Sequence, residues 1–126
     1  MSTEIQPVTY RLTRDDLVAY AAASGDHNPI HQDPEVAVAV GLPGVIAHGM
    51  LTLALAARYV DEHLGERGRI VTVGAKFAKP VVVPVEGVDV VVSGTRKDDT
   101  TIVLAVTSEG VDVLRGCKVT LRGDTA

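Results

Sequence analysis

A short polar segment, residues 24–31 (SGDHNPIH), brings a carboxylate and an imidazole together in an apolar part of the chain. On a continuous helix, Asp26 and His31 would point about 140° apart. Pro29 excludes that geometry, because it cannot donate a helical hydrogen bond and it favours an extended Asn28. On a tight loop the two side chains can converge on one water molecule or one substrate atom. One group could then take a proton while the other delivers one to carbon, which is general acid–base chemistry.

The same residues also have a purely structural interpretation. Asp26 and Asn28 could cap turns, and His31 could be a loop histidine with satisfied nitrogens. Composition and spacing alone leave both interpretations open. His27, His31 and His48 lie near Asp26 in the sequence, but their spacing matches no metal-binding motif, so we expect no metal.

A second candidate is Gly49, in the string Ala47-His48-Gly49-Met50 at the start of a predicted helix. The first N–H groups of a helix lack internal acceptors and carry the positive end of the helix dipole. Gly49 has no side chain to block approach, so its N–H could hold a carbonyl oxygen on which negative charge develops. Alternatively, Gly49 only lets the helix pack closely on a sheet. His48 could face the site or cap its own helix, and we assign it no catalytic role.

Helical signals fill the first half of the chain, where we predict helices over residues 13–25, 33–41 and 48–64. The first begins at a Thr cap and stops at a Gly, and the second begins at Asp-Pro. The third carries no charge between Gly49 and Ala57, so we expect it to be buried on all sides.

The second half alternates apolar and polar residues with a period of two, which predicts strands. The predicted strands are residues 71–79 and the runs that begin at Val88, Ile102 and Val111, with a short strand over 8–12. Turn signals separate the last three, which predicts an antiparallel meander. A buried helix with valine-rich strands indicates an α+β fold, in which a curved sheet wraps one helix.

Length and composition indicate one domain over residues 1–126, because single domains commonly have this size. A net charge of −4 and an aromatic content of 3% argue against nucleic-acid binding. The lone Cys117 excludes an internal disulfide, and we expect it to be a core residue.

The run from Val36 to Ala57 has no formal charge, yet Gly and Pro interrupt it, so we expect no membrane span. The N-terminus lacks the basic and apolar regions of a signal peptide, which predicts a cytoplasmic protein.

The string Ser-Gly-Asp-x-Asn-Pro-Ile-His, followed by Ala-His-Gly-Met before an apolar helix, resembles the signature of the MaoC-like hydratases. This family is also called the (R)-specific enoyl-CoA hydratases, or hydratase 2. The resemblance is strong over residues 10–60. Within the family it looks closest to the B-subunit branch of the mycolic-acid (3R)-hydroxyacyl-carrier-protein dehydratases.

The resemblance implies a hot-dog fold, in which a curved antiparallel sheet wraps one long central helix. It implies that Asp26 and His31 are the catalytic pair, that Asn28 orients them, and that the Gly49 N–H holds the thioester carbonyl. The implied substrate is a trans-2-enoyl or (3R)-3-hydroxyacyl thioester of coenzyme A or acyl carrier protein, with no cofactor. Such enzymes usually act as dimers, and an uncovered strand edge independently predicts a homodimer or a heterodimer with a homologous subunit.

Two other functions stay open at this point. A hot-dog thioesterase would need a carboxylate directed at the thioester carbonyl, and the Asp-to-His loop would then be idle. A non-catalytic subunit of a heterodimeric dehydratase would only build an acyl pocket, and it would have no reason to retain a paired acid and base.

Overall fold

The structure is a computed structural model that describes residues 3–65 and 68–123. In chain order its elements are β1 (Thr3–Leu12), α1 (Arg14–Ser24), a 3₁₀ turn (Pro29–His31), α2 (Pro34–Ala39), α3 (Gly49–Leu64), β2 (Ile70–Phe77), β3 (Val88–Asp98), β4 (Thr101–Ser108) and β5 (Val111–Leu121). The three predicted helices and the predicted strands are all present, and β1 begins five residues earlier than expected.

Local capping explains where the helices begin and end. Thr13 and Asp16 form a reciprocal capping box at the start of α1, and Gly25 ends that helix in the left-handed conformation with φ of 79°. Asp33 caps α2 through two backbone N–H groups. Gly65 ends α3 with φ of 70°. These ends place the polar segment 24–31 between α1 and α2.

The five strands form one antiparallel sheet in the order β1-β3-β4-β5-β2. The expected meander is correct only for β3, β4 and β5. The chain enters β2 before the meander, and β2 then pairs with β5 at the far edge. The sheet therefore has two edge strands, β1 and β2, where the sequence suggested one.

Helix α3 packs against the concave side of this sheet. Its buried residues are Thr52, Leu55, Ala56, Tyr59 and Val60. All of these except Thr52 join one apolar cluster with buried side chains of β1, β3, β4 and β5, and partly buried side chains of β2 pack against it. Cys117 belongs to this cluster, as predicted. Among the described residues, no helix is long and apolar enough to cross a membrane.

The expectation that α3 is buried on all sides is wrong for the single chain. Met50 is 58% exposed, and Ala54 one turn later is exposed as well. The sheet covers one face of the helix, and the uncharged opposite face remains open near the N-terminus of α3.

Candidate active site

The loop after α1 presents Asp26 to solvent in a defined conformation. The Asp26 N–H donates to the Ser24 hydroxyl at 3.2 Å, and the Asp26 carboxylate accepts the N–H of Asn28 at 3.2 Å. Gly25 permits the sharp exit from the helix that this arrangement needs. One carboxylate oxygen is thus used to shape the loop, and the other has no hydrogen bond within the described part of the chain.

Asn28 shapes the part of the loop that carries His31. Its side-chain oxygen accepts the N–H of Ile30 at 3.3 Å, which caps the 3₁₀ turn that Pro29 begins. Asn28 therefore bonds to Asp26 through its backbone and to the His31 turn through its side chain. This arrangement fits the predicted orienting role, which stays a prediction.

His31 lies at the end of this turn, and its side chain is buried. Its Nδ1 lies 2.7 Å from the carbonyl oxygen of Ile46. Because a carbonyl oxygen can only accept, Nδ1 carries the proton, and Nε2 of the neutral ring is left as an acceptor. His31 is thus held in the tautomer that can take a proton from water through Nε2.

The loop brings Asp26 and His31 together, as the sequence predicts. One potential ligand atom of each residue lies within 4.8 Å of the other. A water molecule that bonds to both groups at about 2.8 Å fits within this separation. The pair therefore has the geometry to share one water.

His48 joins this pair, so of the two positions that the sequence left open it faces the site and does not cap its helix. Its ring stacks on that of His31, with centroids 3.8 Å apart and planes 22° apart. Its Nε2 donates to the carbonyl oxygen of Asp26 at 3.2 Å. Short-range sequence patterns cannot establish this contact, because His48 lies 17 residues after His31 in the chain.

Asp26, His31 and His48 are also the described residues whose ligand atoms could hold a metal ion. The imidazole rings of His31 and His48 each donate one N–H hydrogen bond to a backbone carbonyl oxygen. To bind one metal ion, the nitrogen lone pairs of both rings would have to point at that ion. Because the two rings are stacked, their nitrogen lone pairs lie in nearly parallel planes and do not converge. The expectation of no metal stays a prediction, and the stacking supports it.

Gly49 is the first residue of α3, beside this cluster. Within the described chain no acceptor bonds to its N–H, as is usual for the first turn of a helix. A Cβ at this position would lie only 3.0 Å from Cε1 of the Phe77 ring. A side chain at this position would need the Phe77 ring to shift, so glycine favours the close approach of α3 to the end of β2.

Two cavities meet at Gly49 and Phe77. One has a volume of ≈ 290 Å³, contains His31, and is lined largely by apolar side chains including Ile46, Val81, Val113 and Leu114. The other contains Asp26 together with Tyr20, Ser24 and Met50. The first can accept an apolar chain, and the second opens the carboxylate to solvent. Phe77 is a further site residue that no sequence pattern indicated.

A protein-family comparison matches the MaoC like domain over residues 2–113 of this chain. The chain is 42% identical over 74 residues to 3-hydroxyacyl-thioester dehydratase X of Mycobacterium tuberculosis. The matched region covers 59% of this chain and 25% of that protein.

Among solved structures, a MaoC-like dehydratase has a TM-score of 0.92 at 33% identity, covering 98% of this chain and 40% of that one. An (R)-hydratase from A. caviae involved in PHA biosynthesis has a TM-score of 0.80 at 24% identity, covering 96% of this chain and 94% of that one. These structures confirm the hot-dog fold.

This chain spans less than half of the first two relatives, and nearly all of the third. The family model, in contrast, extends over most of the chain, from β1 through the first residues of β5, and it includes the loop, the histidines and Gly49. The chain therefore belongs to the family of MaoC-like domains.

Proposed function

We propose that this protein is a hydro-lyase that reversibly hydrates trans-2-enoyl thioesters to (3R)-3-hydroxyacyl thioesters in fatty-acid or polyketide metabolism. The observation that carries this proposal is the separation of Asp26 and His31, which is short enough for one water to bridge them. His31 lines the apolar cavity, and Asp26 lines the neighbouring one. Its relatives include a dehydratase and an (R)-hydratase, so family membership supports the same chemistry.

In the proposed hydration, Asp26 and His31 hold the attacking water between them. The water oxygen bonds to C3 of the enoyl group, the pair accepts one water proton, and a proton is delivered to C2. Dehydration reverses these steps. The free Gly49 N–H donates to the thioester oxygen as negative charge develops there.

The substrate would be carried on coenzyme A or on acyl carrier protein. Lys79 lines the cavity that contains His31. Lys76 and Arg115 face each other across β2 and β5 at the same end of the sheet, and both are exposed. None of the three bonds to an acidic side chain of the described chain. Unpaired cations beside the cavity suit the phosphates that both carriers contain.

The working form would be a dimer, either of two copies or with a homologous subunit. The open face of α3 and the uncovered edge of β2 both need a partner to bury apolar surface. A second subunit would also extend the cavity, since the acyl chain of a long substrate needs more apolar wall than one chain supplies.

An absorbance assay with the purified chain tests the proposal. Crotonyl-CoA should lose its conjugated enoyl absorbance as water adds across the double bond, with no release of free thiol. Thiol release would support a thioesterase instead. Activity that requires a second subunit would support a heterodimer, and an unchanged signal under both conditions would overturn the hydratase assignment.

A further inference from the structure

His48 is nearly inaccessible to solvent, at 2% exposure, and lies directly before α3. Its side chain does not cap the helix, although it occupies the capping position. It contacts two parts of the proposed site instead, the Asp26 carbonyl and the His31 ring. Its peptide bond also joins it to Gly49.

The hydrogen bond to Asp26 ties the loop to the start of α3. Because the Asp26 carbonyl can only accept, Nε2 of His48 carries the proton. Within the described chain, Nδ1 of His48 is then a buried acceptor without a partner. Leaving a buried polar atom unpaired destabilises the folded state, and an apolar ring at this position would remove that cost.

The stacking fixes the plane of His31. The His48 ring covers one face of it at 3.8 Å, and Tyr20 packs against His48 at 4.8 Å with planes tilted by 54°. The Ile46 carbonyl fixes the Nδ1 edge of His31, and the stacked ring restricts rotation about that bond. The direction of Nε2 thus depends on His48.

We propose that His48 is a positioning residue that sets the separation and orientation of Asp26 and His31. It holds the loop through the Asp26 carbonyl, and it holds the imidazole through its ring face. This inference rests on the proposed function, because positioning matters only if the pair acts on one water. His48 lines the cavity that contains Asp26, but in this proposal it acts through Asp26 and His31 and transfers no proton itself.

Two substitutions separate the contacts of His48 from its contribution to folding. His48→Phe keeps a stacking ring but removes the donor, and it also removes the unpaired buried nitrogen. His48→Gln keeps an amide donor but removes the ring. We expect His48→Phe to lower kcat by about 100-fold, the cost of misplacing reacting groups by roughly 1 Å, with KM nearly unchanged. His48→Gln should retain more activity than His48→Phe, because the loop stays tied.

Thermal unfolding distinguishes positioning from a structural role. His48→Phe should be at least as stable as the wild type, and His48→Gln should be less stable. If His48→Phe were more active than His48→Gln, activity would follow stability, and the inference would be overturned. A wild-type kcat in His48→Phe would overturn it as well. His27→Phe is the matched control, because His27 is an exposed histidine in the same loop, and it should leave kcat unchanged.

Amide hydrogen exchange, read by mass spectrometry, gives a test that needs no activity. His48→Phe should exchange faster over residues 24–31 with unchanged protection in the C-terminal half of α3. Unchanged exchange in the loop would overturn the positioning role. If the wild type proves inactive on enoyl thioesters while the loop responds as expected, the proposed function fails, and only the structural tie between His48 and the loop is supported.

Discussion

Asp26 and His31 are expected to act as one unit, and this can be measured by combining substitutions. General acid–base groups typically contribute about 10²–10⁴-fold to the rate. Asp26→Asn and His31→Ala should each lower kcat by that factor. Because both groups hold the same water, the double variant should lose little more than the worse single variant. The shared-water mechanism would be contradicted if the fold losses in kcat of the two single variants multiplied in the double variant, or if Asp26→Asn kept nearly wild-type activity. His27→Ala serves as the control.

Cys117 gives a prediction about alkaline stability. Burial raises the pKa of its thiol to about 11 from the model-compound value of 9.0. The folded state therefore favours the protonated thiol, and this contribution to the free energy of unfolding is complete below pH 9 and is lost as the pH rises towards 11. Denaturant unfolding should show a decline over this range that is smaller in Cys117→Ala.

Some alkaline decline should remain in that variant. Burial and the hydrogen bond to Glu62 also raise the pKa of Tyr10, and its contribution is lost in the same direction. A stability that is flat from pH 9 to 11 in the wild type would contradict both assignments.

At the level of elements, the contact between the start of α3 and the end of β2 shapes the site. Gly49 has no positive φ, so alanine suits its backbone, but the new Cβ would lie 3.0–3.2 Å from the Phe77 ring. Gly49→Ala should therefore displace the ring, crowd the N–H and lower kcat/KM by up to about 100-fold, as for loss of an oxyanion donor. Thermal stability should change little.

Two further variants make this prediction specific. Phe77→Leu in the Gly49→Ala background should restore part of kcat/KM, because a smaller side chain relieves the contact. Gly74→Ala is the matched control, since a Cβ there meets nothing within 4 Å. Full activity in Gly49→Ala would show that the ring does not define the space above the N–H.

Elements with local signals could be predicted from the sequence, and long-range contacts could not. Thr13, Gly25 and Gly65 lie at the ends of their helices and form hydrogen bonds with residues one turn away. Such local contacts can be predicted from sequence spacing. The pairing of β2 with β5 joins segments some forty residues apart, and the valine pattern is the same for any neighbour. The Asp26–His31 pair lies on one loop and was foreseen. The stacking of His48 and the ring of Phe77 depend on tertiary packing and were not.

At the level of the whole molecule, the two sheet edges differ in how they are protected. Edge strand β1 contains Pro7, and its pairing with β3 shifts register between Ile5 and Val8, features that discourage further pairing. Edge strand β2 exposes Val71 and Phe77, at 64% and 59%. Phe77 lines a cavity together with Met50, which lies on the open face of α3. The apolar surface that a partner could cover is therefore on the β2 side.

We expect this side to form the dimer, with a buried area on the order of 2,000 Å² or more, as in obligate interfaces. Val71→Asp should weaken association because it places a charge on the covered edge, and it should lower activity in proportion to the dimer lost. Val85→Asp is the matched control, since Val85 is 80% exposed in a loop outside the sheet. Analytical ultracentrifugation at micromolar concentration should show a species of twice 13.2 kDa for the wild type and the control. A fully active wild-type species of 13.2 kDa would refute the dimer, and an unchanged dimer in Val71→Asp would place the interface elsewhere on the molecule.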